Sequence, residues 1–188
     1  MKAFCDLCDW LMQSWETRKY LFDENPDLPN LRKPRYIDFF NRLYIITQEY
    51  WIHQLAKLHD PAIQAGQNGH INLSIDYIVD YGHWDEETKE QLVELRKRMS
   101  ALVKPIKDAR NKILSHNDLA IILGSKELGV FPPGQDECYF SYLRQFASLV
   151  SETVTGEPFV HDDLVINDVQ IFMECFNRDI ECTERAIA

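Results

Sequence analysis

An all-α fold, a helical bundle of five to seven helices in one domain over residues 1–188, is what this sequence predicts, and three observations carry the prediction. Apolar residues recur every three or four positions along most of the chain, the period of a helix with one buried face. Seven glycines are few for an all-β chain, which needs a turn roughly every ten residues. Hydrophobic residues make up 45% of the chain and aromatics 12%, enough for a sizeable core without disulfides or structural metal.

Phe4, Leu7, Cys8, Leu11 and Trp15 place a first amphipathic helix over residues 3–22, stopped by the loop Asn25-Pro26-Asp27-Leu28-Pro29. Pro34 then opens a long second helix. Its positions Ile37, Phe40, Leu43, Tyr44, Thr47, Tyr50, Trp51, Leu55 and Leu58 hold the period to a stop at His59-Asp60-Pro61. Gly66-Gln67-Asn68-Gly69 is turn-rich, and a short helix from about Leu73 to Asp80 ends at Gly82. Asp85-Glu86-Glu87 is a good helix start, because the free N–H groups and positive dipole end favour acids there.

From that start Leu92, Leu95, Met99, Leu102, Ile106, Ala109, Ile113 and His116 form a seam with alternating gaps of three and four. The phase survives Pro105, which predicts either a kinked helix or two stacked ones, 85–103 and 105–116. An irregular connection with Gly124, Gly129 and Pro132-Pro133-Gly134 follows. Tyr139, Leu143, Phe146, Val150 and Val154 mark the next helix, closed by Gly156; Val165, Val169, Phe172, Phe176 and Ile180 mark the last, with His161-Asp162-Asp163 as its beginning. No internal repeat, low-complexity tract or long linker divides the chain.

Charge is distributed unevenly. Between Arg96 and Lys112 stand seven basic residues (Arg96, Lys97, Arg98, Lys104, Lys107, Arg110, Lys112) and one acid, Asp108, a local +6. With 20 basic and 30 acidic residues in all, the remainder carries 13 minus 29, or -16. The net charge of -10 therefore says little about partners, because a polyanion would meet the basic window first. Acids interrupt the apolar residues at the N-terminus, so no signal-peptide core is expected, and the longest clean apolar run, Leu119 to Leu123, is far short of the ~20 residues of a membrane span. Five cysteines, an odd number without disulfide-scaffold density, suit a reducing compartment, and the expectation is a soluble cytoplasmic protein.

Within the basic window, Arg110-Asn111-Lys112-Ile113-Leu114-Ser115-His116 sets a fixed cation six residues before an imidazole. The pair suits metal-free RNA cleavage: imidazole takes the 2′-hydroxyl proton or protonates the leaving oxygen near neutral pH, and guanidinium holds the phosphate as charge builds. Asn111 is placed to support either group, and Lys104, Lys107 and Lys112 supply attraction for the phosphate backbone. On an ideal helix Arg110 and His116 point about 120° apart with ~9 Å of rise between them. Convergence thus needs a local distortion or a second copy of the helix across a two-fold axis. An arbitrary Arg-x5-His more commonly means solvated cations and a hydrogen-bonded histidine near a helix end.

Arg110-Asn111-Lys112 followed by Ser115-His116-Asn117-Asp118 resembles the Arg-x(4 to 6)-His motif of HEPN domains, closest to the HEPN-like family of the abortive-infection U protein of phage-resistance systems. Leu58-His59-Asp60-Pro61 at the end of a long helix and Asn72-Leu73-Ser74 opening a short one support it, so that the resemblance spans about Ile37 to Asp118. It implies an all-α fold, homodimers that bring two Arg/His pairs together, and endoribonuclease activity without metal or cofactor. It also implies phage-defence or toxin roles in some members, opposed by an antitoxin such as a minimal nucleotidyltransferase. Arg110 and His116 are its catalytic residues here, with Asn111 as support and RNA as the partner.

Two alternatives stay open: a non-catalytic module that binds RNA, nucleotide or a protein partner through the same face, and a structural bundle whose basic window pairs with acids of its own chain. Cys5-x2-Cys8 has zinc-like spacing, but both fall in the first helix and no second Cys/His pair completes a site. The aromatic residues Trp10, Trp15, Tyr139, Phe140 and Tyr142 can stack bases, although stripes of this spacing are more often core. No Gly-rich phosphate loop is present, since Gly124 to Gly129 lacks the Gly-Lys-Ser/Thr ending.

Overall fold

Seven α-helices and one π-helical turn form the regular structure among the residues that the computed structural model describes, 1–63, 70–109 and 131–187. No strand forms among them; Ile63 and Ile71 make an isolated bridge. The all-α expectation holds. The helices are α1 (Lys2–Arg18), α2 (Leu28–Leu31), α3 (Ile37–Leu58), α4 (Ile75–Tyr81), α5 (Glu86–Ala109), α6 (Gln135–Thr155) and α7 (Val165–Ile187).

Helix starts and stops follow local chemistry. The first helix runs as predicted, but its last turn, Lys19–Asp23, is π-helical. Asn25 closes it: its Nδ2 donates to the Leu21 carbonyl at 2.9 Å and its Oδ1 accepts from the Asp27 N–H at 2.8 Å. The stretch expected to be a loop therefore holds one helical turn, α2, with Pro29 in the first turn where its missing N–H costs nothing and Leu31 buried. Pro34 does not open α3. It lies in a turn in which the N–H groups of Tyr36 and Ile37 both meet the Lys33 carbonyl, and α3 begins at Ile37.

Ser74 caps α4 through its hydroxyl, and Asp85 caps α5 by accepting from both the N–H and the hydroxyl of Thr88 at 2.8 Å. The Thr88 N–H, then its hydroxyl, hold the Asp85 carboxyl below the usual carboxylate range. Pro105 lies inside one continuous helix to Ala109, which removes the two-helix alternative over this part of the chain. Both Pro105 and Ala101, whose carbonyl the absent donor would have met, are exposed, so water can serve that carbonyl. Gly156 ends α6 at φ 74°, a left-handed conformation that costs glycine nothing.

The chain divides into two compact units, Met1–Leu11 with Trp51–Val160, and Met12–Tyr50 with His161–Ala188. In the first, α5 packs along α6 and against α4. Its buried residues come from the predicted faces: Leu92, Met99 and Ile106 of α5, and Tyr139, Leu143, Phe146 and Val150 of α6. Val103 is buried as well, so the inward stripe of α5 is wider than the seam, while Leu95 and Leu102 are half-buried and Val154 of α6 is exposed. Phe4 meets Phe146 edge to face at 5.7 Å, and Trp51 stacks on Phe131 at 6.0 Å.

In the second unit Leu21, Phe22, Leu31, Phe40, Val169 and Met173 form the core. Phe40 and Tyr36 of this unit pack edge-on against Phe176 at 5.4 and 5.0 Å, and Asn30 donates to Asn177 at 2.8 Å. Aromatic contacts and one amide pair thus join the α2 region and the start of α3 to α7.

Gly82 ends α4 with φ -72°, so its need is for space and not for a left-handed backbone. The Trp84 indole folds over it to donate to the Ile78 carbonyl at 2.8 Å, and a Cβ on residue 82 would meet that indole and lie 2.6 Å from the same carbonyl. Gly82→Ala is expected to cost about 1–3 kcal/mol in urea unfolding, the range for overpacking. An unchanged midpoint would mean that Trp84 swings away freely.

Candidate functional site

The structure describes five of the seven cations of the basic window, and all five lie on α5. Arg96 donates to Asp80 at 2.9 Å and lies 3.4 Å from Asp76, both on α4. Arg98 pairs with Glu94 at 2.8 Å, one turn back, and its guanidinium lies 5.6 Å from the centre of the Tyr142 ring of α6. Lys97 and Lys104 are exposed, and Lys107 is half-buried. Lys107 gives one of its three N–H donors to the His59 carbonyl at 2.8 Å. Arg110, Asn111, Lys112 and His116 lie outside the described residues, as does the rest of the seam beyond Ala109.

His59 follows α3 directly, and its ring is buried with the side chain 2.8 Å from the Tyr139 hydroxyl through Nε2. Burial first, and the Lys107 charge second, lower its pKa from 6.5 to about 3, so the imidazole is neutral near pH 7. A phenol O–H donating to Nε2 requires the proton on Nδ1. The Tyr139 phenol is fully buried and pushed well above its ordinary value, by burial and then by Cys8. Neither group exchanges a proton near neutrality. They form a polar lock between the end of α3 and α6, which sequence reasoning met only as a helix stop and a core aromatic. A histidine at the end of an apolar helix face was the available signal.

Beside this lock lies a cleft of about 410 Å³, lined by residues of α1, the end of α3 and the Ile71–Leu73 segment. Trp10 of α1 is 53% exposed on its wall, while Lys57 and Asp60 supply charge and Gln54 and Asn72 supply amides. Asn72 is fixed in place, since its Nδ2 donates to the Pro61 carbonyl at 2.8 Å and its backbone N–H to Ala62 at 2.9 Å. Among the aromatics considered for base stacking, Trp15, Tyr139 and Phe140 are core residues and Tyr142 is half-buried. Trp10 is the one whose ring reaches the surface to this extent.

A family model described as HEPN_AbiU2 (AbiU2) matches residues 1–174. The chain belongs to the AbiU2 family. It is thus an abortive-infection-related HEPN module, and the match extends past the motif-bearing stretch to include α1, α6 and the first half of α7. No curated protein and no solved structure matches the chain.

The other candidate groups of this AbiU2 protein lie on α1 and just before α7. Cys5 and Cys8 share α1, burial raises both thiols, and no cluster of metal-ligating side chains occurs among the described residues. His161 does not begin α7, which starts at Val165; its Nε2 lies 3.0 Å from both carboxylate oxygens of the buried Glu16. A partner so distant in sequence drew this histidine away from the helix start. No described helix is long and apolar enough to cross a membrane.

The neutral His59 makes stability depend on pH. In the unfolded chain it titrates near 6.5 and in the fold near 3, so between those values the unfolded state binds more protons. The stability it contributes is present above pH 6.5 and lost as pH falls towards 3, at up to about 1.4 kcal/mol per pH unit. Urea unfolding across this range should show a shallower slope for His59→Gln than for wild type; equal slopes would contradict a buried neutral ring. Tyr139→Phe should cost about 1–3 kcal/mol at pH 7, since it leaves Nε2 without its hydroxyl.

Proposed function

We propose that this AbiU2 protein is a metal-independent endoribonuclease that acts in phage defence by abortive infection or as a toxin component. The observation that carries the proposal is that the family match runs over residues 1–174 and so takes in the whole Arg110 to His116 segment. Its chemistry needs no more than those residue types. In the proposed step the 2′-oxygen bonds to phosphorus as the bond to the 5′-oxygen breaks, leaving a cyclic phosphate and a free 5′-hydroxyl. The 2′-hydroxyl proton passes to one imidazole, and a protonated imidazole supplies the proton for the departing 5′-oxygen.

Arg110 holds the phosphate oxygens as their charge rises, Asn111 supports it, and Lys104, Lys107 and Lys112 attract the backbone. The exposed ammonium of Lys104 and the exposed Lys97 are consistent with this electrostatic role. Because one acid and one base are required at once, two His116 residues in a homodimer satisfy the step better than one, and the ~9 Å rise between Arg110 and His116 on an ideal helix favours the same arrangement. A minimal nucleotidyltransferase is the class of antitoxin proposed to oppose it.

The engagement of Arg96, Arg98 and Lys107 with groups of their own unit favours, as a second possibility, a module with fewer cations for RNA than the +6 window implies. RNA incubated with EDTA should be cut by wild type, to products with 2′,3′-cyclic ends, and spared by Arg110→Ala and His116→Ala. Equal cutting by all three, or none by wild type, would sink the nuclease proposal; salt-dependent RNA binding without cleavage would support the module instead.

A further inference from the structure

We infer that the cleft between α1, the end of α3 and the Ile71–Leu73 segment binds an unpaired nucleobase, stacked on Trp10 with its phosphate on Lys57. Isolated apolar side chains on a surface need no explanation, whereas several around one recess do. Here Leu7, Trp10, Ile71 and Leu73, from two separate stretches of chain, are all exposed and all line the same cleft. Its volume of about 410 Å³ falls in the range of small-ligand sites and suits a flat ring system.

The polar groups distinguish a base from an apolar side chain as the occupant. Lys57, exposed in the last turn of α3, offers an ammonium at the edge of the cleft. Gln54, one turn earlier, carries the amide donor and acceptor of the kind a base edge pairs with. Asn72 is already held by Pro61, so this wall is organised before a ligand arrives. An indole face with an adjacent cation is the usual means of holding a single-stranded base without regard to its identity.

The cleft also adjoins the cationic end of α5. Lys107 bonds the carbonyl of His59, the residue between Leu58 and Asp60, both of which line the cleft. The end of α5 is thereby tied to the segment that forms one wall of the cleft. The assignment goes beyond the nuclease proposal and holds whether or not the chain cleaves RNA.

A 2′-O-methyl oligonucleotide of about ten residues tests it, because it lacks the nucleophile for cleavage yet matches a single-strand site in length. In calorimetric titrations Trp10→Ala should weaken binding about tenfold or more while Trp10→Phe retains most of it. Lys57→Ala should weaken binding and lower the slope of log affinity against log salt by about 1. Binding of an oligonucleotide that cannot be cut is read independently of cleavage, so a failed nuclease and a failed cleft give different results. Circular dichroism guards against misfolding of the variants. Equal affinity of wild type and Trp10→Ala, or a helical peptide bound at the cleft in place of the oligonucleotide, would overturn the inference.

Discussion

The carbonyl of His59 lies at the end of α3, and the ammonium of Lys107 meets it at 2.8 Å near the end of α5. The same residue's imidazole meets Tyr139 of α6 at the same distance. One residue of the first unit therefore joins the end of α3 to α5 and α6 through one half-buried and one buried polar bond. Such a node is tolerable only if both groups find partners, because an unpaired buried donor or acceptor costs about 1–3 kcal/mol. It also demands a neutral ring: with Lys107 beside it and water excluded, an imidazolium would face both repulsion and desolvation. The residue that closes the long helix is thus kept out of acid/base chemistry by the packing that makes it useful.

This node changes what the basic window means. Seven cations within seventeen positions look like one electrostatic surface when counted along the chain. In the fold they differ in kind. Arg96 and Arg98 find carboxylates within their own unit, and Lys107 points its charge at a helix end, whose carbonyls carry partial negative charge. Lys97 and Lys104 face outward. Surface ion pairs contribute little stability, so Arg96 and Arg98 are not withdrawn from other partners at great cost. Lys107 is held more firmly, because its bond is to a backbone carbonyl next to a buried ring.

Membership of the AbiU2 family rests on the chain as a whole, and the Arg110 to His116 motif that suggested it is only a short part of the matched span. The features outside the motif, including α1 with its exposed Trp10, are inside that span. The cleft and the end of α5 meet at His59, whose carbonyl holds Lys107 and whose neighbours Leu58 and Asp60 line the cleft.

Helix positions, their caps and most of their buried faces were legible in the sequence because each depends on residues within one or two turns: Asp85 caps through Thr88, Gly156 closes α6, and the stripe of Tyr139, Leu143, Phe146 and Val150 keeps the helical period. Where neighbours in space decide, the sequence misled or was silent. Pro34 marked a turn and not a start, His161 went to Glu16, Val103 joined the core, and the loop around Pro29 held a helix because Leu31 had a place to be buried. Of the candidate site, the sequence by itself determined that positive charge is concentrated in one stretch and that Arg110 and His116 stand within or beside it. Only the tertiary structure decided that His59 is neutral, that Lys107 faces its carbonyl and that Trp10 alone among the considered aromatics lines an open cleft beside them. Periodicity reports that a face is apolar; what lies against that face is set by chain segments far away in sequence, and it is that contact which fixes a proton, a charge or a cavity.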